Sequence, residues 1–188
     1  MKPSDFDLLP NDLLDMSFRK SLAELSATKS KLEEDKKYCI RPTSSAGMVQ
    51  ALDFDAVKEH WRDGKFVFKG KSADALIVDG YEYYLIEFKT GRIVADDLLR
   101  KVYDSAMALV EYNVLTWDQC KQHLTFVLVG TEVETRLSHL RKKSVADYTN
   151  PSYSGVNQDP RTVVGQVVKG FEIYTPAEFE AFAEEKKW

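Results

Sequence analysis

The stretch that most constrains this chain runs over residues 71–91, KSADALIVDGYEYYLIEFKTG. Two apolar runs, residues 75–78 and 83–88, flank Asp79-Gly80, a dipeptide whose glycine tolerates the positive φ that tight hairpin turns require. β-Branched and aromatic side chains dominate both arms, and these pack better on a pleated surface than on a helix. The spacing therefore predicts a β-hairpin. In its second arm Tyr84, Ile86 and Phe88 point to one face of the sheet, and Tyr83, Leu85, Glu87 and Lys89 to the other.

Folding the hairpin about residues 79–82 brings Asp74, which opens the first arm, level with Glu87. Two carboxylates and a lysine then converge at one corner of a sheet. Carboxylates held close repel each other, so the cluster calls for a compensating cation, and oxygen ligands suit the hard ions Mg²⁺ or Mn²⁺. Taken alone, Glu87 and Lys89 also fit an i,i+2 surface ion pair on an edge strand, which is worth little.

Asp74, twelve intervening residues, and Glu87-Phe88-Lys89 together resemble the core motif of the PD-(D/E)XK nuclease superfamily. The resemblance spans about residues 53–130, with Ala73 where the family name has proline. It implies a restriction-endonuclease-like α/β fold, a mixed-sheet core of order αβββαβ flanked by helices. It also implies that Asp74 and Glu87 hold Mg²⁺ or Mn²⁺ and that Lys89 positions or activates the attacking water. The activity implied is hydrolysis of a nucleic-acid phosphodiester, DNA and RNA being equally open. The family often adds an acid from the helix before the sheet; Glu59 is the first choice for that metal ligand, with Glu33 and Glu34 as alternatives. On the helix after the motif, Lys101 and Tyr103 stand where the resemblance implies phosphate-binding side chains. Members that have lost catalysis serve as interaction modules, so binding of protein or nucleic acid without cleavage is the alternative reading.

Around this core the chain reads as one domain over residues 1–188. A long helix is predicted over residues 11–37, an N-terminal extension with Leu14, Phe18, Leu22, Leu25 and Leu32 along one stripe. That stripe either packs on the sheet or pairs with a second copy, which raises a homodimer. A helix over 53–62 and a strand over 65–69 precede the hairpin, and a strongly periodic helix over 96–112 follows it. Residues 124–129 are continuously apolar, as expected of a strand buried on both faces in a mixed sheet. A polar helix over 132–143 and an aperiodic, mobile stretch over 144–162 come next. A strand–helix unit over 163–186 closes the chain, its helix opened by the capping box Thr175-Pro176-Ala177-Glu178.

Composition narrows the classes. No apolar run is long enough to span a bilayer and no apolar signal region opens the chain, so a cytoplasmic protein is expected. Cys39 and Cys120 lie far apart without metal-binding spacing and are expected to be reduced. His60, His123 and His139 show no HxH or HExxH pattern, and no GxSxG occurs. The net charge of −4 works against nonspecific binding of nucleic acid. Local basic clusters offset it: Lys65, Lys69 and Lys71 before the hairpin, Lys89 and Arg92 after it, and Arg136, Arg141, Lys142 and Lys143 further on. The last group reads as a solvated face.

Overall fold

A computed structural model describes residue 9 and residues 16–27, 37–64, 70–90, 94–130 and 160–188. Among them six strands form one mixed sheet in chain order: β1 (Arg19–Ser21), β2 (Gln50–Asp53), β3 (Ala75–Asp79), β4 (Glu82–Lys89), β5 (Leu124–Gly130) and β6 (Gly170–Tyr174). The α-helices are α1 (Leu22–Leu25), α2 (Phe54–Gly64), α3 (Ala95–Glu111), α4 (Trp117–His123) and α5 (Pro176–Lys186). The protein is therefore α/β. β1 to β4 pair antiparallel in succession, whereas β4–β5 and β5–β6 are parallel.

The hairpin is the centre of this sheet. Its register pairs Ala75 with Ile86, Leu76 with Leu85 and Val78 with Tyr83, and closes on Asp79 opposite Glu82. Gly80 takes the first central position of the two-residue turn with φ 60°, where a side chain would be strained. The alternation along β4 then sorts residues between two cores. Tyr83 and Leu85 join Leu52, Leu76, Phe54, Val57, Leu98, Val102 and Phe126 under α2 and α3. Tyr84, Ile86 and Phe88 join Leu22, Ile40, Val127 and Phe179 on the opposite face, under α1 and α5. Every residue of β5 is buried, as its unbroken apolar run requires.

Several expected elements differ. Residues 16–27 do not continue a long helix. Met16–Phe18 is a 3-10 turn, β1 follows, and α1 is a single turn ending near Ser26. The reason is local and tertiary together. Ser21 caps α1 through a capping box with Glu24, which starts a new helix there, while residues 19–21 pair with residues 52–50 of β2. The stripe is dispersed as well: Phe18 packs on one core, and Leu22 and Leu25 on the other. Phe18, Leu22 and Leu25 thus form no common outward face for a homodimer, and Leu14 and Leu32 lie outside the described residues.

The strand expected over 65–69 also lies outside the described residues, and the free side of β3 is taken by β2 instead. The strand expected over 163–174 shortens to β6. Before it come the 3-10 turn Pro160–Val163 and a tight loop in which Gly165 has φ 74°. The polar helix over 132–143 and nearly all of the stretch over 144–162 fall outside the described residues. α2, α3 and the capping box of α5 stand where expected, whereas β1, β2 and α4 are additional to the expected elements. No described helix is long and apolar enough to cross a membrane.

Candidate active site

The site forms where the hairpin opens. β4 is flanked by β3 and β5, so Glu87 is not on an edge strand, and its side chain is 0% exposed beneath α3. That excludes a merely solvated surface pair. Along β4 the row that starts with Tyr83 and Leu85 in the apolar core continues to Glu87, which places a carboxylate where the core ends. Asp74, immediately before β3, is fixed opposite it by the backbone. Its N–H donates to the Ile86 carbonyl at 3.0 Å, and its Oδ2 accepts from the Phe88 N–H at 2.7 Å.

Two ammonium groups meet these acids. Lys89 Nζ lies 2.7 Å from Glu87 Oε1, an ion pair off hydrogen-bond alignment, so the buried Oε1 accepts no hydrogen bond. Lys101, reaching down from α3, donates to Glu87 Oε2 at 2.5 Å and stands 3.7 Å from Asp74 Oδ1. One ammonium thus bridges both carboxylates. Burial, with the Glu87 charge beside it, pushes the Asp74 carboxyl up to about 7 against the opposing pull of Lys101 and the Phe88 N–H. For Lys101 burial disfavours the charge, but Asp74, Glu87 and the hydrogen bond to Glu87 outweigh it and its pKa rises.

The segment leading into β3 is tied to the two helices above it. The Ser72 hydroxyl donates to Asp55 of α2 in a short hydrogen bond, and the Ala73 N–H donates to the buried Ser105 hydroxyl at 3.0 Å. The Lys71 N–H donates to Asp104 at 2.7 Å, and its ammonium pairs with Asp97 at 2.6 Å. Asp74 therefore sits in a frame built by β4, α2 and α3 together.

Of the residues singled out from the sequence, Asp74, Glu87, Lys89 and Lys101 come together. Glu59 does not join them: it lies exposed on α2, and the acid of that helix acting on both Asp74 and Lys101 is Asp55, one turn earlier. Asp53 caps α2 by accepting from the Ala56 N–H at 3.0 Å, so Asp55 falls in the first turn, at the strand end. This was legible only once the helix start was known. Tyr103 also stays apart. Two residues on from Lys101 it is turned roughly 200° around the helix, and it is 45% exposed. Glu33 and Glu34 lie outside the described residues. Cys39 and Cys120 are buried free thiols, and His60 packs its ring on Phe18.

The donor set is one of hard oxygens, suited to Mg²⁺ or Mn²⁺ rather than to a softer ion. Among the described residues no group of three or more His, Cys, Asp or Glu side chains gathers at one point. A metal ion here would find two protein carboxylates, a number that Mg²⁺, which keeps several waters beside one or two carboxylates, accepts. The hydrogen-bond-free, buried Oε1 of Glu87 is an electron-pair donor of the kind such an ion takes. Comparison with family models, curated proteins and solved structures gives no match for this chain.

Proposed function

We propose that the chain is a restriction-endonuclease-like, PD-(D/E)XK-type nuclease that hydrolyses phosphodiester bonds of nucleic acid with the help of Mg²⁺ or Mn²⁺. The observation that carries this reading is the fully buried Glu87 carboxylate, set across the hairpin from Asp74 and within 2.7 Å of Lys89. A carboxylate pair with one member fully buried is costly in a purely structural role, and a carboxyl perturbed as Asp74 is belongs to a kind that clusters at functional sites. Asp74 and Glu87 would hold the ion, which supplies Lewis acidity and lowers the pKa of a water. Lys89 is at the end of β4 with its side chain 30% exposed, so its ammonium can face both the acid pair and an incoming phosphate. Its part is to hold the attacking water and to offset charge on the phosphoryl oxygens.

A second reading is favoured by one observation: Lys101 already neutralises the acid pair, and the whole chain carries a net charge of −4. On that reading the protein binds protein or nucleic acid without cutting it. Incubation of labelled DNA and RNA with Mg²⁺ or Mn²⁺ separates the two. The nuclease reading expects cleavage that Lys89→Ala lowers about a hundred- to a thousand-fold, the usual cost of removing such an electrostatic contact. Absence of cleavage with both nucleic acids, together with no heat of Mn²⁺ binding at millimolar concentration, would leave the binding reading.

A further inference from the structure

We propose that Lys101 is a built-in competitor of the divalent ion, a gate that must swing off the acid pair before the ion can enter. The inference rests on the metal-binding reading above. Its warrant is geometric: a single ammonium engages Glu87 Oε2 at 2.5 Å and Asp74 Oδ1 at 3.7 Å, the two side chains from which an ion would take its protein oxygens. An ammonium that bridges the two side chains occupies the space between them that an ion bound to both would fill.

The arrangement also provides somewhere for Lys101 to go. Its side chain is 16% exposed, so it sits at the margin of the site rather than sealed within it. Asp55 at the start of α2 is close enough to act on Lys101 and is the more accessible acid, with 44% of its side chain exposed, although its Oδ1 already meets the Ser72 hydroxyl and, at 3.7 Å, Lys58. A phosphate arriving with the substrate is a second anion able to draw the ammonium outward. Substrate and ion would then enter together, each removing the obstacle to the other, and nucleic acid would tighten metal binding by the same factor as metal tightens nucleic-acid binding.

Lys89 provides the control for charge. It too places an ammonium 2.7 Å from Glu87, but it does not bridge to Asp74 in the described contacts. Calorimetric titration with Mn²⁺ of the parent, Lys101→Met and Lys89→Met tests the gate. The expected result is Mn²⁺ binding about ten- to a hundred-fold tighter in Lys101→Met, the range set by one hydrogen bond to a charged group. Lys89→Met should tighten it by no more than a few-fold. Equal tightening in both variants overturns the gate and leaves only general electrostatics, with the metal site intact. No Mn²⁺ binding in any of the three proteins overturns the metal reading and the gate with it. Should Lys101→Met fail to fold, the parent alone decides. The ¹H–¹⁵N signal of the Lys101 ammonium should be protected from exchange without metal and lost as Mg²⁺ is added. A signal that persists at saturating Mg²⁺ overturns the proposal.

Discussion

Asp74 and Glu87 differ more than their pairing suggests. Removing one crowded acid should relieve repulsion, yet Asp74 also accepts a 2.7 Å hydrogen bond from the Phe88 N–H. Asp74→Ala leaves that N–H without its acceptor and is expected to cost about 1–2 kcal/mol, whereas Asp74→Asn keeps an acceptor and does not. The carboxyl of Asp74 is held up to about 7 from its ordinary 3.8, so the folded state binds its proton more tightly than the unfolded state does. The stability linked to this group is present below about pH 4 and is lost as pH rises toward 7. Asp74→Asn, which has no such proton, should gain relative to the parent across that window, by up to about 4 kcal/mol at pH 8. Urea unfolding of both proteins at pH 4.5 and pH 8 reads the difference directly; a gap that does not change with pH refutes it. Glu87→Ala should be more damaging, about 3 kcal/mol, because it strips the largely covered Lys101 ammonium of its closest partner.

The helices owe their positions to aromatic packing and tight backbone approaches more than to intrinsic preference. α5 is anchored by Phe179, which is fully buried and makes ring contacts with Phe88, Tyr174, Phe182 and Trp188. Phe179→Ala is expected to cost about 3–4 kcal/mol, measured by denaturant unfolding, and to loosen α5 without touching the acid pair on the other face. The loop before β2 is clamped in another way. A Cβ at Gly47 would meet the Arg41 carbonyl oxygen at 2.0 Å, and Arg41 in turn pairs with Glu180 of α5 at 2.7 Å. Because the obstacle is backbone, Gly47→Ala must shift the loop and should lower the melting temperature. An unchanged melting temperature would mean that the loop yields freely.

For the molecule as a whole, charge sets how it meets a polyanion. The chain carries a net charge of −4, and Lys71, Lys89 and Lys101 are each engaged by Asp or Glu. On the nuclease reading, contact of this site with a nucleic-acid backbone would depend on a bound cation more than on these three lysines. In EDTA, binding to duplex DNA is expected at a Kd of about 10⁻⁴ M or weaker. Adding Ca²⁺, which takes oxygen ligands as Mg²⁺ does, should tighten it several-fold. Filter binding with and without Ca²⁺ measures this, and tight binding in EDTA would point to a basic surface elsewhere in the chain.

Much of this was legible in residue order. Period-two alternation from Tyr83 to Lys89, with Gly80 at the turn, assigned each side chain of β4 to its face and set Asp74 against Glu87. The helical period of α3 and the apolar run of β5 were equally plain, because each repeats one signal over many residues. Short elements were not legible. β1 and β2 are three and four residues long, with sequences RKS and QALD that carry no strand preference; β2 exists because β3 offers it a partner, and β1 because β2 does so in turn. The residues of the Ser21–Glu24 capping box lie inside a leucine stripe of helical period, and pairing with β2 decides between the two. The choice of Asp55 over Glu59, and the reach of Lys101 to both acids, depended on where α2 begins and how α3 lies across the hairpin. Those are distances between segments far apart in the chain, and no local pattern encodes them.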